Sequence, residues 1–186
     1  MTNNIAVAII NEVDIYMMKI SIIEANENLG SPVSFEFLTN AQELDALHEN
    51  YSFDGDITIK GELVATGRGY RVSGRISCTK SFVCDRCLEE SSQQQSHEFD
   101  EEYQKRGQGY AEDDQDVNYF DGDQIDISSM IRDVLLSDQP LNNICNADCR
   151  GLCLKCGANL NHGDCGCDRT VIDPRLAALQ QLLIKK

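Results

Sequence analysis

No run of apolar residues in this 186-residue chain approaches the roughly 20 that a membrane-spanning helix needs, so no such helix is expected. Lys and Arg are absent before Lys19, and the apolar run Ile5–Ile10 is too short for the core of a secretory signal. A cytoplasmic protein is the expectation. Positive charge is scarce: 16 Lys and Arg stand against 31 Asp and Glu, a formal net charge of −15. Such acidity argues against the whole surface acting as a nucleic-acid clamp, and leaves a local basic patch or a basic protein partner. The chain also lacks G-x-x-x-x-G-K, H-E-x-x-H and G-x-S-x-G motifs, and a G-x-G-x-x-G after a strand. Its three histidines, His48, His97 and His162, lie in polar segments with no Ser or Cys arranged as nucleophile and base. Acidic pairs such as Asp113/Asp114 fall in a loop, where rigid acid–base geometry is hard to hold. A non-enzymatic protein is expected. No internal repeat is present, and a chain 41% hydrophobic and 25% charged is neither collagen-like, nor a coiled coil, nor wholly disordered.

Cysteine is abundant instead. Nine residues fall into two groups, Cys78, Cys84 and Cys87, then Cys145, Cys149, Cys153, Cys156, Cys165 and Cys167, with 57 cysteine-free residues between them. An odd count in a reducing compartment argues against a disulfide framework and for metal. A tetrahedral Zn²⁺ takes four sulfur or nitrogen ligands, sulfur at about 2.3 Å, and a two-residue spacer lets one tight turn present two sulfurs to one ion. Cys84-Asp85-Arg86-Cys87 and Cys153-Leu154-Lys155-Cys156 both have that spacing. Gly157 follows the second pair and can take the left-handed backbone that such a turn needs. Gly166 relieves crowding between Cys165 and Cys167. The first site is therefore expected from Cys153, Cys156, Cys165 and Cys167.

A second site is expected from Cys84, Cys87, Cys145 and Cys149, stapling the sheet to the C-terminal lobe. Nothing local dictates that pairing, and a permuted partition with Cys149 in the distal cluster stays open. Cys78 reads as an ordinary buried strand thiol, and His162 as an exposed loop residue rather than a substitute ligand. Fe–S ligation and a redox dithiol are the alternatives. The first uses other spacings, and the second wants a βαβ setting that is absent here. Four protein ligands leave no open position on the ion, which makes such sites structural rather than catalytic.

The fold expected is α+β: an antiparallel β-sheet core with a C-terminal cysteine-rich zinc-binding lobe and two short helices. Residues 1–16 read as an N-terminal extension ahead of a fresh start at Met17-Met18. Residues 17–103 read as antiparallel sheet, 104–124 as an acidic flexible loop, and 125–186 as helix, zinc lobe and a C-terminal helix packing on the sheet. Val33–Phe37 and Asp56–Ala65 alternate with period two, and Tyr70–Cys78 returns after Gly67-Arg68-Gly69 as a hairpin partner. Ala41–His48 reads as a short helix. Ile127, Met130, Ile131, Val134 and Leu135 form a helical stripe capped by Asp126. Asp173, Pro174, Leu176, Leu179, Leu182 and Leu183 signal the last helix.

The binding candidate is the hairpin, with Lys60, Arg68, Tyr70, Arg71, Arg75 and Lys80 as cations around an aromatic ring. Arg86, Arg150, Lys155 and Arg169 extend it. Cations neutralise phosphate, and a ring stacks on an unpaired base. The plain alternative is a solvated sheet face. The acidic loop reads most plainly as a disordered connector, and otherwise as an electrostatic mimic of nucleic acid or a lure for a basic protein.

Val83-Cys84-Asp85-Arg86-Cys87-Leu88, then Cys149-Arg150-Gly151-Leu152-Cys153-Leu154-Lys155-Cys156-Gly157-Ala158-Asn159-Leu160-Asn161, then Asp173-Pro174-Arg175-Leu176 resemble the YceD family of large ribosomal RNA subunit accumulation proteins, in its cysteine-rich branch. The likeness runs from about Met17 to Leu183. It implies a cytoplasmic, non-enzymatic ribosome-biogenesis factor supporting accumulation or processing of large-subunit ribosomal RNA. Such a factor would bind precursor RNA, a ribosomal protein or an assembly intermediate. The competing functions are a zinc-dependent RNA-processing hydrolase, which needs an open metal position, and a thiol-based metal store or redox sensor.

Overall fold

The computed structural model describes residues 18–107 and 118–168. The N-terminal extension and the C-terminal helix expected from the sequence lie outside the described residues. The elements are β1 (Lys19–Ser21), α1 (Ile23–Glu27), β2 (Pro32–Thr39), β3 (Tyr51–Ala65), β4 (Tyr70–Val83), β5 (Glu90–Lys105), β6 (Asn118–Phe120), β7 (Gln124–Asp126) and α2 (Ser128–Ser137). They form a five-stranded sheet in the order β2-β3-β4-β5-β6 and a two-stranded antiparallel sheet β1-β7. The α+β expectation holds, with one departure: β6 pairs parallel to β5.

The chain divides into two compact units. The first comprises residues 18–82 and 91–141 of the described chain, the second Val83–Glu90 with the residues from Asn142 onward. The first unit is built on alternation. Phe53, Ile57, Ile59, Leu63 and Ala65 of β3 and Tyr70, Val72, Ile76, Cys78 and Phe82 of β4 are buried, while their neighbours face outward. A pleated strand buries every second side chain, so this parity fixes the register. An irregularity between Asp54 and Thr58 shifts the pairing with β4, and Gly55 supplies the positive φ there.

The buried stripes meet at a glycine pair, Gly61 opposite Gly74. A Cβ on Gly61 would stand 2.6 Å from the Phe35 ring, and one on Gly74 would stand 2.7 Å from the Phe99 ring. The aromatic rings of the flanking strands β2 and β5 thus fill the space that the central pair leaves open.

Helix α2 follows its expected stripe, with Ile131 and Leu135 fully buried. Asp126 caps it from one position further out than expected. Its Oδ1 accepts the Ser128 N–H at 2.9 Å, while Ile127 occupies the N-cap position. Two local expectations change. Ala41–His48 is a series of turns, because Asn40 Oδ1 takes the N–H groups of Gln42 and Glu43 and Asp45 adopts φ +50°. A short helix stands instead at Ile23–Glu27, inside a stretch that reads as strand. The acidic segment 104–124 carries strand at both ends, through Lys105 and again at Asn118–Phe120. Among the described residues no helix is long and apolar enough to cross a membrane.

Candidate metal centres

Among its described residues the second unit has almost no aliphatic core. Cys84, Cys87 and Cys149 are its buried cluster, with Ile144 and Cys145 packed against them. Eight thiols form two groups of four, Cys84/Cys87/Cys145/Cys149 and Cys153/Cys156/Cys165/Cys167. Within each, all sulfurs lie within 4.8 Å of one another. This is the partition expected from spacing, and the permuted one with Cys149 in the distal cluster is not formed. Cys78 stands apart as a buried strand thiol of the first unit.

The distances discriminate between thiol chemistries. Cys84 Sγ lies 3.9 Å from Cys149 Sγ, and Cys87 Sγ lies 3.7 Å from Cys145 Sγ. A disulfide requires about 2.05 Å. A tetrahedron of sulfurs each about 2.3 Å from a central ion has an edge of about 3.8 Å. The proximal tetrad therefore has the dimensions of a four-thiolate metal site.

Local backbone builds both sites in the same way. The N–H of Leu88 donates to Cys84 O at 2.9 Å, and that of Cys84 to Glu89 O at 2.9 Å. Gly157 N–H donates to Cys153 O at 2.8 Å, and Cys153 N–H to Ala158 O at 2.8 Å. The residue after each second cysteine is left-handed, Leu88 at φ +60° and Gly157 at φ +73°. Gly166, between the last two ligands, is also left-handed at φ +70°.

This turn aims amide protons at the first sulfur. Burial pushes the Cys84 thiol up, but the backbone amides of Cys145, Cys87 and Arg86 outweigh it and leave that thiol at about 6. The amides of Cys156 and Lys155 lower Cys153 to about 6 in the same way. Other members move oppositely. Burial and the neighbouring sulfurs push Cys145 up to about 12, and Cys156 and Cys165 push Cys167 up to about 12. Four thiolates this close repel one another unless a cation sits among them.

Three further groups surround the proximal tetrad. Asn161 Nδ2 donates to Cys149 Sγ at 3.4 Å and lowers that thiol. Arg86 Nη1 donates to Cys149 O at 3.0 Å. Glu89 Oε2 lies 4.0 Å from Cys87 Sγ, and Glu89 Oε1 pairs with His162 Nε2 at 2.6 Å. Cysteine spacing points to none of these contacts. The one signal available is Asn159-Leu160-Asn161, which puts two side-chain amides inside a ligand-bearing loop. His162 is exposed and belongs to neither tetrad, as expected.

The basic hairpin is a different matter. Lys60 pairs with Glu36 at 3.0 Å, Arg75 with Glu98 at 2.5 Å, and Arg71 with both carboxylate oxygens of Asp100. Tyr70 is buried and its hydroxyl donates to Asn26 Oδ1, so its ring is not presented for stacking. Lys80 is buried over the Tyr51 ring, 4.3 Å from its centroid. Arg86 serves the proximal tetrad. Of the six candidates, Arg68 alone lies in an exposed turn without an ion pair among the described residues. Three of the expected cations, Lys60, Arg71 and Arg75, thus stand in exposed cross-strand ion pairs.

Fold and site together define a class, an α+β protein carrying two paired-turn, four-thiol clusters that could hold metal ions. The chain belongs to the family described as large ribosomal RNA subunit accumulation protein YceD, whose match covers residues 72–183. That match begins inside β4, later than the Met17 start that the motifs implied. Two relatives share part of the chain. One from Arabidopsis thaliana is 44% identical over 59 residues, 32% of this chain and 18% of its own length. One from Zea mays is 41% identical over 73 residues, 34% of this chain and 25% of its own length. Both are named large ribosomal RNA subunit accumulation protein YCED homolog 1, chloroplastic. The matched stretch thus spans a quarter or less of these relatives. No solved structure matches the chain.

Proposed function

We propose that this chain is a non-enzymatic ribosome-biogenesis factor that supports accumulation of large-subunit ribosomal RNA by binding a basic ribosomal protein. Both tetrads hold Zn²⁺ in this reading, and the ions are structural. The observation that carries it is the coincidence of the family match with two tetrads whose four ligands are all protein thiols. A closed coordination shell leaves no position for a reactive water. In zinc-finger peptides such binding is worth on the order of 10–16 kcal/mol, comparable with the whole stability of a domain.

Protein rather than RNA is the partner favoured by charge. The net −15 repels a polyanion, and three hairpin cations that would offset it, Lys60, Arg75 and Arg71, are engaged with Glu36, Glu98 and Asp100. Nine cysteines with no disulfide among them fit the cytoplasm, where reductants keep thiols reduced.

The test is capture of the tagged full chain from cells, with bound RNA sequenced, bound proteins identified and zinc quantified on the same sample. Zinc with basic ribosomal proteins enriched over RNA is the expected result. RNA retained after protein is stripped away overturns the choice of partner. Metal-dependent cleavage of precursor RNA by the purified chain overturns the non-enzymatic reading.

A further inference from the structure

The loop that closes the distal tetrad also touches the proximal one. Eight residues, 157–164, lie between Cys156 and Cys165, both ligands of the distal site. From that loop Asn161 donates its Nδ2 proton to Cys149 Sγ at 3.4 Å, and His162 meets Glu89 at 2.6 Å, beside Cys87. Cys149 and Cys87 are ligands of the proximal site. The Asn161 side chain is itself fixed, its Oδ1 accepting the Arg150 N–H at 2.7 Å and its own N–H donating to Asn159 Oδ1 at 2.9 Å. Leu160 N–H donates to Gly151 O at 2.9 Å, and Leu152 bridges Asn159, holding the loop against the segment that follows Cys149.

We propose that Asn161 is a positioning residue of the proximal centre, delivered by the loop that the distal metal closes, so that the two centres bind metal cooperatively. The proposal rests on reading both tetrads as metal sites. A divalent ion with four thiolates carries a net charge of −2, and a hydrogen bond to a ligand sulfur disperses that charge. Outer groups of this kind typically change metal affinity 10–100-fold. A distal site without metal leaves Cys156 and Cys165 unjoined, so the loop between them is held only by its hydrogen bonds to Arg150, Gly151 and Leu152 and aims the Asn161 amide less firmly. Linkage then requires the effect to be mutual: metal at the proximal site strengthens the distal site by the same factor.

The experiment uses the full chain with Zn²⁺ in chelator competition and with ¹¹³Cd²⁺ in NMR. The wild type is expected to bind two ions and to show a ¹¹³Cd–¹H coupling from one cadmium to the Asn161 amide protons. Asn161→Ala should weaken one of the two zinc ions about tenfold and abolish that coupling. Cys156→Ser with Cys167→Ser, which disables the distal site, should weaken the remaining ion by a similar factor. Adding Asn161→Ala to that variant should then cost little more, because the contact is already lost. Full and independent losses in the combined variant overturn the coupling, as does an unchanged affinity in Asn161→Ala or a wild type without the ¹¹³Cd–¹H signal. Two ions bound independently leave the metal reading standing and remove only this inference. A wild-type chain that takes up no metal removes both.

Discussion

Cys87 and Cys145 are 58 residues apart in the chain, and their sulfurs lie 3.7 Å apart. Cys87 comes from the β4–β5 tip and Cys145 from the segment after α2. The proximal tetrad therefore joins two remote stretches into the second unit. Replacing Cys145 by Ser should leave a protein that binds one zinc ion rather than two. It should also uncouple residues 83–90 from 142–149, seen as faster amide hydrogen exchange in both. Cys78→Ser, outside both tetrads, should retain two ions. Equal zinc content in wild type and Cys145→Ser by elemental analysis would sink the assignment.

What could be read from the sequence follows from the range of each interaction. Strand parity, the α2 stripe and the two C-x-x-C turns are set by neighbours a few residues away, and they emerge where expected. The proximal tetrad was reachable because, once the distal four are grouped by spacing, few cysteines remain to pair. The fate of the cations was not reachable. Nothing local to Arg71 or Arg75 announces that Asp100 and Glu98 will lie beside them, because the partner strand sets those contacts. Ala41–His48 misleads for a related reason. Its composition allows a helix, but Asn40 satisfies the first amides in a turn, and the left-handed Asp45 ends any continuation.

Metal uptake should release protons. At pH 7 the Cys87 and Cys145 thiols of the proximal site and Cys167 of the distal one hold their protons, since each is raised above the ordinary thiol value. Cys84 and Cys153, at about 6, are already mostly thiolate. Zinc must displace the retained protons, so apparent affinity rises with pH and the ions leave as pH falls. Calorimetric titration in buffers of different ionisation enthalpy should report at least one proton released per ion. Enthalpies independent of the buffer contradict it.

The remaining thiol behaves differently. Burial raises Cys78 to about 11 against an ordinary value of 9.0. A raised thiol pKa favours the folded state below pH 9, and that contribution is lost as pH climbs through 11. Alkylation of the zinc-free native chain should modify eight cysteines first and Cys78 last, with the Cys78 rate climbing only in strongly alkaline solution. Mass spectrometry of the partly alkylated chain identifies the slow residue. Early labelling of Cys78 at neutral pH would show that it is accessible.

The glycine pair at the centre of the sheet makes a prediction confined to the first unit. A Cβ on Gly74 would lie 2.4 Å from Lys60 O and 2.7 Å from the Phe99 ring. Backbone cannot yield as a flexible side chain can, so Gly74→Ala should destabilise the first unit by about 1–3 kcal/mol, the usual cost of overpacking. Gly61→Ala, 2.5 Å from Ser73 O, should do the same. Zinc content should be unaffected in both. A denaturant midpoint unchanged from wild type would mean that the rings move aside freely.

Arg71 gives the sharpest division between RNA and protein as partner. Its guanidinium spans both oxygens of Asp100, and the pair holds the Asp100 carboxyl below the usual carboxylate range. Arg75 makes a single contact, its Nη2 donating to Glu98 Oε1 at 2.5 Å. Exposed pairs of this kind contribute little to folding, so Arg71→Gln with Arg75→Gln should leave the chain folded. If these cations neutralised phosphate, the double variant would bind RNA more weakly, and its log affinity would fall less steeply with log salt, by about two in slope. We expect neither change, because Asp100 and Glu98 already supply the anions that phosphate would replace. Affinity for a basic ribosomal protein should rise slightly in the same variant, since it frees two carboxylates. A flattened salt dependence for RNA would restore the hairpin as a nucleic-acid surface.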